Sequence, residues 1–523
     1  MSNSDTSQHL ETRQELVDAL HFASVLEHML ACEYLFASYS AKRVAQDFPD
    51  FCGTNKANDA ILRSHLDASR PWLSQINMIA RQEMEHLGIV QNLLAAIGEE
   101  PFFWHPSFPV SSAETLLGAP FTLQRLDAET LQRFVWYERP NYLTPQFTDH
   151  FGDQSETKLP RHEAMGSFIR TVKRKQLTSV ESLYKAINAA FANHYECSDF
   201  KPENLYIGDT ERQVGEDKFG YRVMMKSVTN QTEATAAINQ ILEQGEGIGA
   251  QPLNENPAHF QRYLDILQEF EQRKREHPSF DPALPVVNNP ISADRHPWKQ
   301  IKRKRNARNQ TELELTLPGL KPFRMTIASD RTPNDKINIV TNPNTKAVMK
   351  LANDAYSLTL VMMKAFFGTY SGSFNPTPQP QQALYYAGFF PMMTMVIRPL
   401  GEILARMPVS GRDTLVDPEA PHAGQSFEIS DFALNRDLKN PQIRTELELD
   451  YYRSHIRDLA QRARELVDAV PGKGSAPDDE QSNLSDLKSA MKYLHENLKS
   501  AGLHMEGIWR QGSNPVWEQK SNH

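Results

Sequence analysis

Cysteine is scarce in this sequence of 523 residues, which contains only Cys32, Cys52 and Cys197. Three widely spaced cysteines do not form a disulfide framework, and their spacing does not match a thiolate metal site. Such sparse thiols are typical of proteins in a reducing compartment. The cysteine content therefore excludes the class of small, disulfide-stabilised secreted domains.

Long hydrophobic runs are also missing. No apolar run reaches the roughly 18 residues needed to cross a bilayer. The most apolar stretch, residues 387–404, is interrupted by glycines, prolines and charges, among them Pro391 and Arg398. The polar, acidic N-terminus MSNSDTSQHLETRQEL lacks the charged-then-apolar pattern of a signal peptide. We therefore expect a cytoplasmic protein with no membrane partner.

An excess of basic charge is absent as well. The formal net charge is −9, which disfavours nucleic acid as a partner. The one basic cluster, KQIKRKRNAR at residues 299–308, is interpreted as a solvated loop rather than a phosphate or nucleic-acid site. With 40% hydrophobic and 23% charged residues, the composition predicts a globular protein, and the length predicts two domains of ordinary size.

Helical periodicity dominates what is present, so the sequence predicts a mainly all-α fold. The predicted helices span residues 16–41, 58–97 (bent at Pro71), 128–137, 178–194, 233–244, 257–273, 346–370, 382–407, 445–470 and 485–501. Residues 101–175 are otherwise predicted to be irregular. The predicted domains are residues 1–276 and 346–523, joined by a linker at 277–345 with the short strand-like runs TELELTL, FRMTIAS and INIV.

Acidic and imidazole side chains interrupt two apolar helix stripes. Glu83 and His86 are three residues apart, so they project from one face of the second helix. Glu27 interrupts the stripe of the first helix. Bundles that bind two iron or manganese ions place a Glu-x-x-His on one core helix and a further Glu on a facing helix. Because a buried, unpaired carboxylate is costly, the pattern predicts a metal site, although a polar core without metal remains an alternative.

Four further residues are weaker candidates for ligands. His259 lies on an apolar stripe, Glu246 follows a helix in EQGEG, and Glu138 lies among aromatic residues in WYERP. Glu181 in SVESLYKAI is the fourth. Each of them has an alternative interpretation as a hydrogen-bonded structural residue.

Tyr34 lies two turns beyond Glu27 on the same stripe and is the candidate catalytic residue. Near an oxidising metal it would be a hydrogen-bond donor to the site or a redox-active phenol; the alternative is a packed tyrosine whose hydroxyl reaches water. Glu85 is expected to point away from Glu83, and Glu33 is expected to face solvent.

The sequence resembles a known family through several segments. These are LEHMLACEYLFASYS, ARQEMEHLGIVQNLLAAIGEEPFF, FVWYERP, SVESLYKAI, EQGEG and AHFQRYLDI, followed in the second half by LANDAYSLTLVMMKAFFG, MVIRPLGEILARMPV and HAGQSFEI. They resemble the ferritin-like domain of iminophenylpyruvate dimer synthases, enzymes of bacterial pathways for bisindole pigments such as violacein. The resemblance covers roughly residues 14–430.

The resemblance implies a ferritin-like four-helix bundle followed by a second helical domain. It also implies a set of metal ligands, namely Glu27, Glu83, His86, Glu138, Glu246 and His259. The chain departs from the family near Glu181, where the expected pair before Leu183-Tyr184 is altered.

These features lead to a functional hypothesis, an oxidoreductase of secondary metabolism with two iron ions, or manganese in their place. It would use dioxygen or peroxide to oxidise a small amino-acid-derived substrate, with Glu83 or Glu27 bridging the metals. The aromatic segment 102–142 is expected to wall the substrate pocket. The oligomeric state is left open and includes a homo-oligomer.

Two other function classes are open. One is an iron- or peroxide-handling protein like ferritin. The other is a metal-free scaffold of a biosynthetic complex, for which the Met- and aromatic-rich segments 360–367 and 389–395 would form a partner surface. The alternative for these two segments is the packed core of the second domain.

Overall fold

The fold is described here from a computed structural model. It describes residues 8–48, 50–51, 53–110, 115, 117–141, 166–215, 225–245, 257–292, 310–315, 323–328, 337–368, 378–411, 421–435, 449–469 and 478–511. Within these residues the chain is mainly helical.

Eight α-helices occupy the described part of the N-terminal half. They are α1 (Arg13–Tyr39), α2 (Lys56–Ala96), α3 (Ala128–Tyr137), α4 (Gly166–Arg174), α5 (Val180–Phe191), α6 (Pro202–Leu205), α7 (Gln231–Gly245) and α8 (His259–Glu276).

Polar side chains fix where several of these helices begin. Thr12 accepts a hydrogen bond from the backbone of α1, Asn55 from that of α2, Asp127 from that of α3 and Ser179 from that of α5. Such caps satisfy backbone N–H groups that have no partner inside the helix.

The second half is also helical where it is described. It contains α9 (Pro343–Phe367), α10 (residues 378–404), α11 (Asp431–Asn435), α12 (Leu449–Ala469) and α13 (Asp478–Gln511). Two π-helical segments, Leu384–Phe389 and Met393–Ile397, lie within α10. Within the first of them the backbone leaves the helical region at Gly388 (φ −101°, ψ −109°), so α10 is kinked there.

Strands are short in the described residues. β1 (Pro290–Ile291) pairs in parallel with β4 (Asn338–Ile339). β2 (Gln310–Leu315) and β3 (Phe323–Ala328) form an antiparallel pair. The three strand-like runs of the sequence are therefore confirmed as strands, and β1 was not predicted.

The predicted helices are confirmed, with ends that shift by a few residues. Helix α13 begins and ends several residues beyond the predicted range. Helix α4 lies within residues 101–175, so the expectation that this stretch is irregular apart from α3 is wrong. Its nine residues make fewer than three turns, too few for a periodic pattern to stand out.

One hydrophobic cluster contains buried residues from both halves of the chain. It includes Phe22 of α1, Ile79 of α2, Leu358 of α9 and Leu400 of α10. Helices α1 and α9 thus share a core. The division of the chain into domains remains a prediction.

The Met- and aromatic-rich segments of the second half are mainly part of this core. Residues 360–367 are buried throughout. In the second segment Phe390 is 47% exposed and Met395 is 38% exposed, whereas Met392 is buried. The interpretation as packed core holds for the first segment and only in part for the second.

No helix in the described ranges combines the length and the apolar character that a membrane span requires.

Candidate metal centre

Four helices bring together five of the predicted ligands. Glu27 lies on α1, and Glu83 and His86 lie on α2. Glu138 follows the last residue of α3, and His259 is the first residue of α8. All five are at most 2% exposed. Residues distant in sequence thus meet inside the bundle, among them Glu27, Glu83 and His86, which interrupt apolar helix stripes.

The five side chains form two groups that share one residue. Glu27, Glu83 and His86 are the first group, and Glu83, Glu138 and His259 are the second; in each group one potential ligand atom per residue lies within 4.8 Å of the others. The carboxylate of Glu83 therefore stands between the two groups. A shared carboxylate with one imidazole on each side is the donor arrangement of a dinuclear site.

The two carboxylate oxygens of Glu83 face different imidazoles. Its Oε2 lies 3.0 Å from Nδ1 of His86, and its Oε1 lies 2.9 Å from Nδ1 of His259. In the second group Oε2 of Glu138 lies 3.6 Å from the same Nδ1 of His259. In the first group Oε2 of Glu27 lies 3.5 Å from Nδ1 of His86.

Two of these atoms lack hydrogen-bond partners. Oε1 of Glu83 and Nδ1 of His259 are both buried, and despite their short separation neither forms a hydrogen bond. Buried polar atoms are normally paired, and an unpaired one calls for an ion or water. Carboxylate oxygens and imidazole nitrogens are donors that suit iron and manganese. The residues present therefore fit a pair of such cations.

Burial and mutual charge set the protonation of the cluster. Burial, reinforced by the charge of Glu83, raises the pKa of Glu27 to about 8. Burial also raises the pKa of Glu138. At Glu83 burial acts in the same direction, but the charges of His259 and His86 outweigh it and hold the pKa well below its usual range.

On the pKa values of the imidazoles, burial and the neighbouring charge act in the opposite directions. Burial favours their neutral forms, yet the carboxylate of Glu83 raises the pKa of His86 well above its usual range and that of His259 to about 9. Without a cation, protons on the imidazoles balance the charge of Glu83. Because a metal needs the imidazole lone pairs, metal binding would release these protons.

Each imidazole is held from its far side by a glutamine. Nε2 of His86 lies 2.8 Å from Oε1 of Gln244, and Nε2 of His259 lies 3.2 Å from Oε1 of Gln82. An amide oxygen only accepts, so each Nε2 carries the proton that it donates. This leaves Nδ1 of both rings directed at the carboxylates. Outer hydrogen bonds of this kind orient metal-ligating histidines.

Two tyrosine hydroxyls donate to the outer carboxylates. Tyr184 of α5 donates to Oε1 of Glu27, and Tyr34 of α1 donates to Oε1 of Glu138. Tyr34 is fully buried, so the alternative in which its hydroxyl reaches water is wrong. The ring of Tyr263 packs 5.0 Å from that of Tyr34.

A small cavity adjoins the cluster. It is lined by Glu27, Leu30, Glu83, His86, Glu138, Val180, Ile241, Leu242 and Gly245. Phe102 and Phe103 do not line it and are buried in the core instead. Glu138, from the same segment 102–142, does line it, and the expectation that this segment walls a substrate pocket remains a prediction.

The remaining acidic residues considered in the sequence are not among the two groups. Glu246 lies outside the described residues. Glu181 accepts a hydrogen bond from the backbone N–H of Asn141 and pairs with Lys185, away from both groups. Glu85 pairs with Arg81 at 3.1 Å and is not part of the cluster, as expected.

Glu33 is buried, so the prediction that it faces solvent is wrong. It is 1% exposed and accepts a hydrogen bond from the backbone N–H of Thr122, and the hydroxyl of Tyr137 donates to it at 3.2 Å. The reason is that nearly the whole circumference of α1 is buried. A residue off the main apolar stripe therefore has no solvent to face.

Sequence reasoning missed the residues that support the ligands. Tyr184, Gln244 and Gln82 had not been considered as parts of the site. Tyr184 lies on an apolar helix stripe, a pattern that also describes a packed core tyrosine. No local signal distinguishes the two roles, because the partner of Tyr184 is 157 residues away in the chain.

The part of the chain that forms this bundle matches a known protein family. Residues 20–268 match the family model described as Ferritin-like. Residues 20–268 form a ferritin-like domain. The match extends from α1 into α8 and contains all five clustered residues. The predicted family resemblance and the predicted all-α, ferritin-like fold are thus confirmed.

Two curated proteins are similar to a larger part of the chain. One is dichlorochromopyrrolate synthase of Lentzea aerocolonigenes, 24% identical over 452 residues, which are 81% of this chain and 36% of that protein. The other is 2-imino-3-(indol-3-yl)propanoate dimerase of Chromobacterium violaceum, 23% identical over 498 residues, 86% of this chain and 40% of that protein. The chain spans less than half the length of either relative. No solved structure matches it.

Proposed function

We propose that the ferritin-like domain binds two iron ions and oxidises a small amino-acid-derived substrate in secondary metabolism. One observation carries the proposal: Glu83 is shared between two buried ligand groups, each with its own imidazole. Manganese is the other metal that this donor set suits. The names of the two relatives, a synthase and a dimerase, support a biosynthetic reaction.

The ligands have separate roles in this proposal. Glu83 would hold both ions, Glu27 and His86 would complete one side, and Glu138 and His259 the other. A dinuclear iron centre, when bound, supplies the oxidising equivalents of dioxygen or peroxide. A two-electron oxidation releases two electrons and two protons, which convert one dioxygen to hydrogen peroxide or one peroxide to two waters.

Residues of the chain control the surroundings of this chemistry. Leu30, Val180, Ile241 and Leu242 give the cavity apolar walls that limit water beside the ligands. Gly245 completes the wall next to Glu138, where a Cβ atom would lie 3.8 Å from Oε2 of the carboxylate. Its missing side chain keeps the approach to the second ligand group open.

The relatives suggest the substrate class to test first. We infer that an aromatic 2-imino acid, such as 2-imino-3-(indol-3-yl)propanoate or its phenyl counterpart, is oxidised. The test combines elemental analysis of the purified protein with product analysis after incubation with either imino acid and dioxygen or peroxide. The proposal expects about two irons per chain and an oxidised organic product.

A matched pair of variants makes this test specific. Glu83→Ala should lose iron and product formation together, whereas Glu85→Ala on the same helix should keep both. Iron turnover without any organic product would contradict the proposal in favour of an iron- or peroxide-handling protein. Protein without metal would contradict it in favour of a scaffold.

A further inference from the structure

A second buried cluster lies on another face of α1. His28 and Cys32 are one helical turn apart on α1, His105 lies in the segment after α2, and Tyr356 lies on α9. All four are at most 6% exposed. Since successive residues of an α-helix are turned by roughly 100°, His28 faces away from its chain neighbour Glu27.

The polar atoms of this cluster converge. Nε2 of His28 lies 2.6 Å and Nε2 of His105 lies 2.7 Å from the hydroxyl oxygen of Tyr356. Sγ of Cys32 lies 3.6 Å from the same oxygen. One nitrogen of each imidazole and the Sγ atom lie within 4.8 Å of one another. The spacing is that of side chains that can close around one ion.

The distribution of protons leaves one nitrogen without a partner. Nδ1 of His105 lies 2.7 Å from the carbonyl oxygen of Pro106, so it carries a proton and leaves a lone pair on Nε2. Tyr356 has a single hydroxyl proton to give to that lone pair, and Nε2–H of His28 then donates to Tyr356. Nδ1 of His28 is left as a buried acceptor with no hydrogen bond.

An unpaired buried acceptor is an unusual feature of a folded core. Such atoms cost about 1–3 kcal/mol when they have no partner. Like Nδ1 of His259 in the carboxylate cluster, Nδ1 of His28 belongs to a side chain that is grouped with other side chains of metal-ligand type. A cation bound through this nitrogen, Cys32 and His105 would provide the missing interaction.

We propose that His28, Cys32 and His105 bind one copper(I) ion, at a site separate from the carboxylate cluster. Soft thiolate ligands select copper(I), and imidazole also suits copper. None of the three side chains is a carboxylate, in contrast to the cluster around Glu83. The chain thus offers hard donors at one site and a soft donor set at the other.

Charge balance favours a monovalent ion. Binding replaces the thiol proton of Cys32, so copper(I) and one thiolate together are neutral. A divalent ion would leave a net positive charge in a buried position, which is costly. The nearby carboxylate of Glu33 already has its own partners in Thr122 and Arg133.

The test begins with the full chain carrying Cys52→Ser and Cys197→Ser, which leaves Cys32 as the sole thiol. This parent is produced in medium with equal copper and zinc and purified without oxygen. Elemental analysis should find about one copper per chain. X-ray absorption at the copper edge should show one sulfur and two nitrogen neighbours.

Adding Cys32→Ser should lower the copper content at least tenfold while the iron content stays the same. Glu83→Ala in the same parent should do the reverse, which separates this proposal from the proposed oxidase function. Far-ultraviolet circular dichroism and the Tm verify that each variant is folded. Should Cys32→Ser fail to fold, the X-ray absorption spectrum of the parent still tests whether copper has one sulfur and two nitrogen neighbours.

Three results would overturn the proposal. They are a folded parent that contains no copper, a parent that takes zinc in its place, and copper that persists in Cys32→Ser or shows no sulfur neighbour.

Discussion

Oε1 of Glu83 lies 2.9 Å from Nδ1 of His259, and yet these two buried atoms do not form a hydrogen bond. When the imidazole is protonated the two groups form a buried ion pair, and a cation bound by both atoms would replace that proton. Because Oε2 of the same carboxylate faces His86, Glu83 connects both halves of the candidate centre.

Removing the shared carboxylate of Glu83 should lower the iron content more than removing the carboxylate of Glu27 or Glu138. Glu83→Ala is expected to reduce the iron content from about two ions per chain to nearly none. Glu27→Ala and Glu138→Ala each leave one ligand group intact and should retain about one ion. Elemental analysis of the four proteins, with Glu85→Ala as the control at about two ions, measures this. Equal losses in all three ligand variants would contradict a bridging role for Glu83.

The two phenols should tune metal affinity without being required for binding. Tyr184→Phe and Tyr34→Phe each remove a hydroxyl that donates to an outer carboxylate. Loss of such outer partners typically lowers metal affinity by about 10–100-fold. Competition against a chelator of known affinity gives the values, with Tyr493→Phe, 53% exposed, as the control. Unchanged affinity in both phenol variants would show that the hydroxyls do not support the ligands.

Metal should stabilise the folded chain. A ligand that binds only the native state at 100 times its Kd adds about 2.7 kcal/mol. Treatment with a chelator should therefore lower the Tm of the wild-type protein, and returning iron should restore it. In the double variant Glu83→Ala/His86→Ala, returning iron after the chelator treatment should not change the Tm. A recovery of the same size in that variant would place the stabilising metal elsewhere.

Glu33 should make the protein less stable as the pH rises. Burial raises its pKa to about 8, above the roughly 4.3 of an unfolded glutamate. A raised carboxyl pKa contributes stability that is present below the unfolded pKa and is lost as the pH rises through the folded pKa. Between about pH 5 and pH 9 the Tm of Glu33→Gln should fall less than that of the wild type. Parallel Tm profiles would contradict this assignment.

The contact between α10 and α1 should tolerate no side chain at Gly401. A Cβ atom there would lie 2.2 Å from the ring of Tyr39. Gly401→Ala should therefore destabilise the protein by about 1–3 kcal/mol, as overpacking does. Gly507→Ala is the matched control, because a Cβ atom there has no neighbour within 4 Å and alanine favours helix. A Tm of Gly401→Ala at or above that of the control would show that the two helices do not pack this closely.

The sequence predicted the helices and the placement of three candidate ligands because both follow from periodicity. Glu27, Glu83 and His86 interrupt apolar stripes, and the structure places them together in the core. Glu138 and His259 were weaker candidates, because a lone Glu or His in apolar surroundings is more often a hydrogen-bonded structural residue. Their convergence depends on how α3 and α8 pack, which no local pattern specifies.

Long-range contacts account for what the sequence did not predict. The partner of Gln244 is 158 residues away, and that of Tyr184 is 157 residues away. The exposure of Glu33 was predicted wrongly because its burial comes from the elements that surround α1. Cysteine spacing gave no indication of the group around Cys32, since His105 and Tyr356 approach it from other segments.

Anomalous scattering at the iron absorption edge tests the shared role of Glu83 most directly. Crystals of the aerobically purified protein should show two iron peaks, about 3.5–4 Å apart as in known two-metal sites. One peak should lie beside His86 and the other beside His259, with the carboxylate of Glu83 between them. A single peak, or two peaks that do not flank Glu83, would contradict the dinuclear centre.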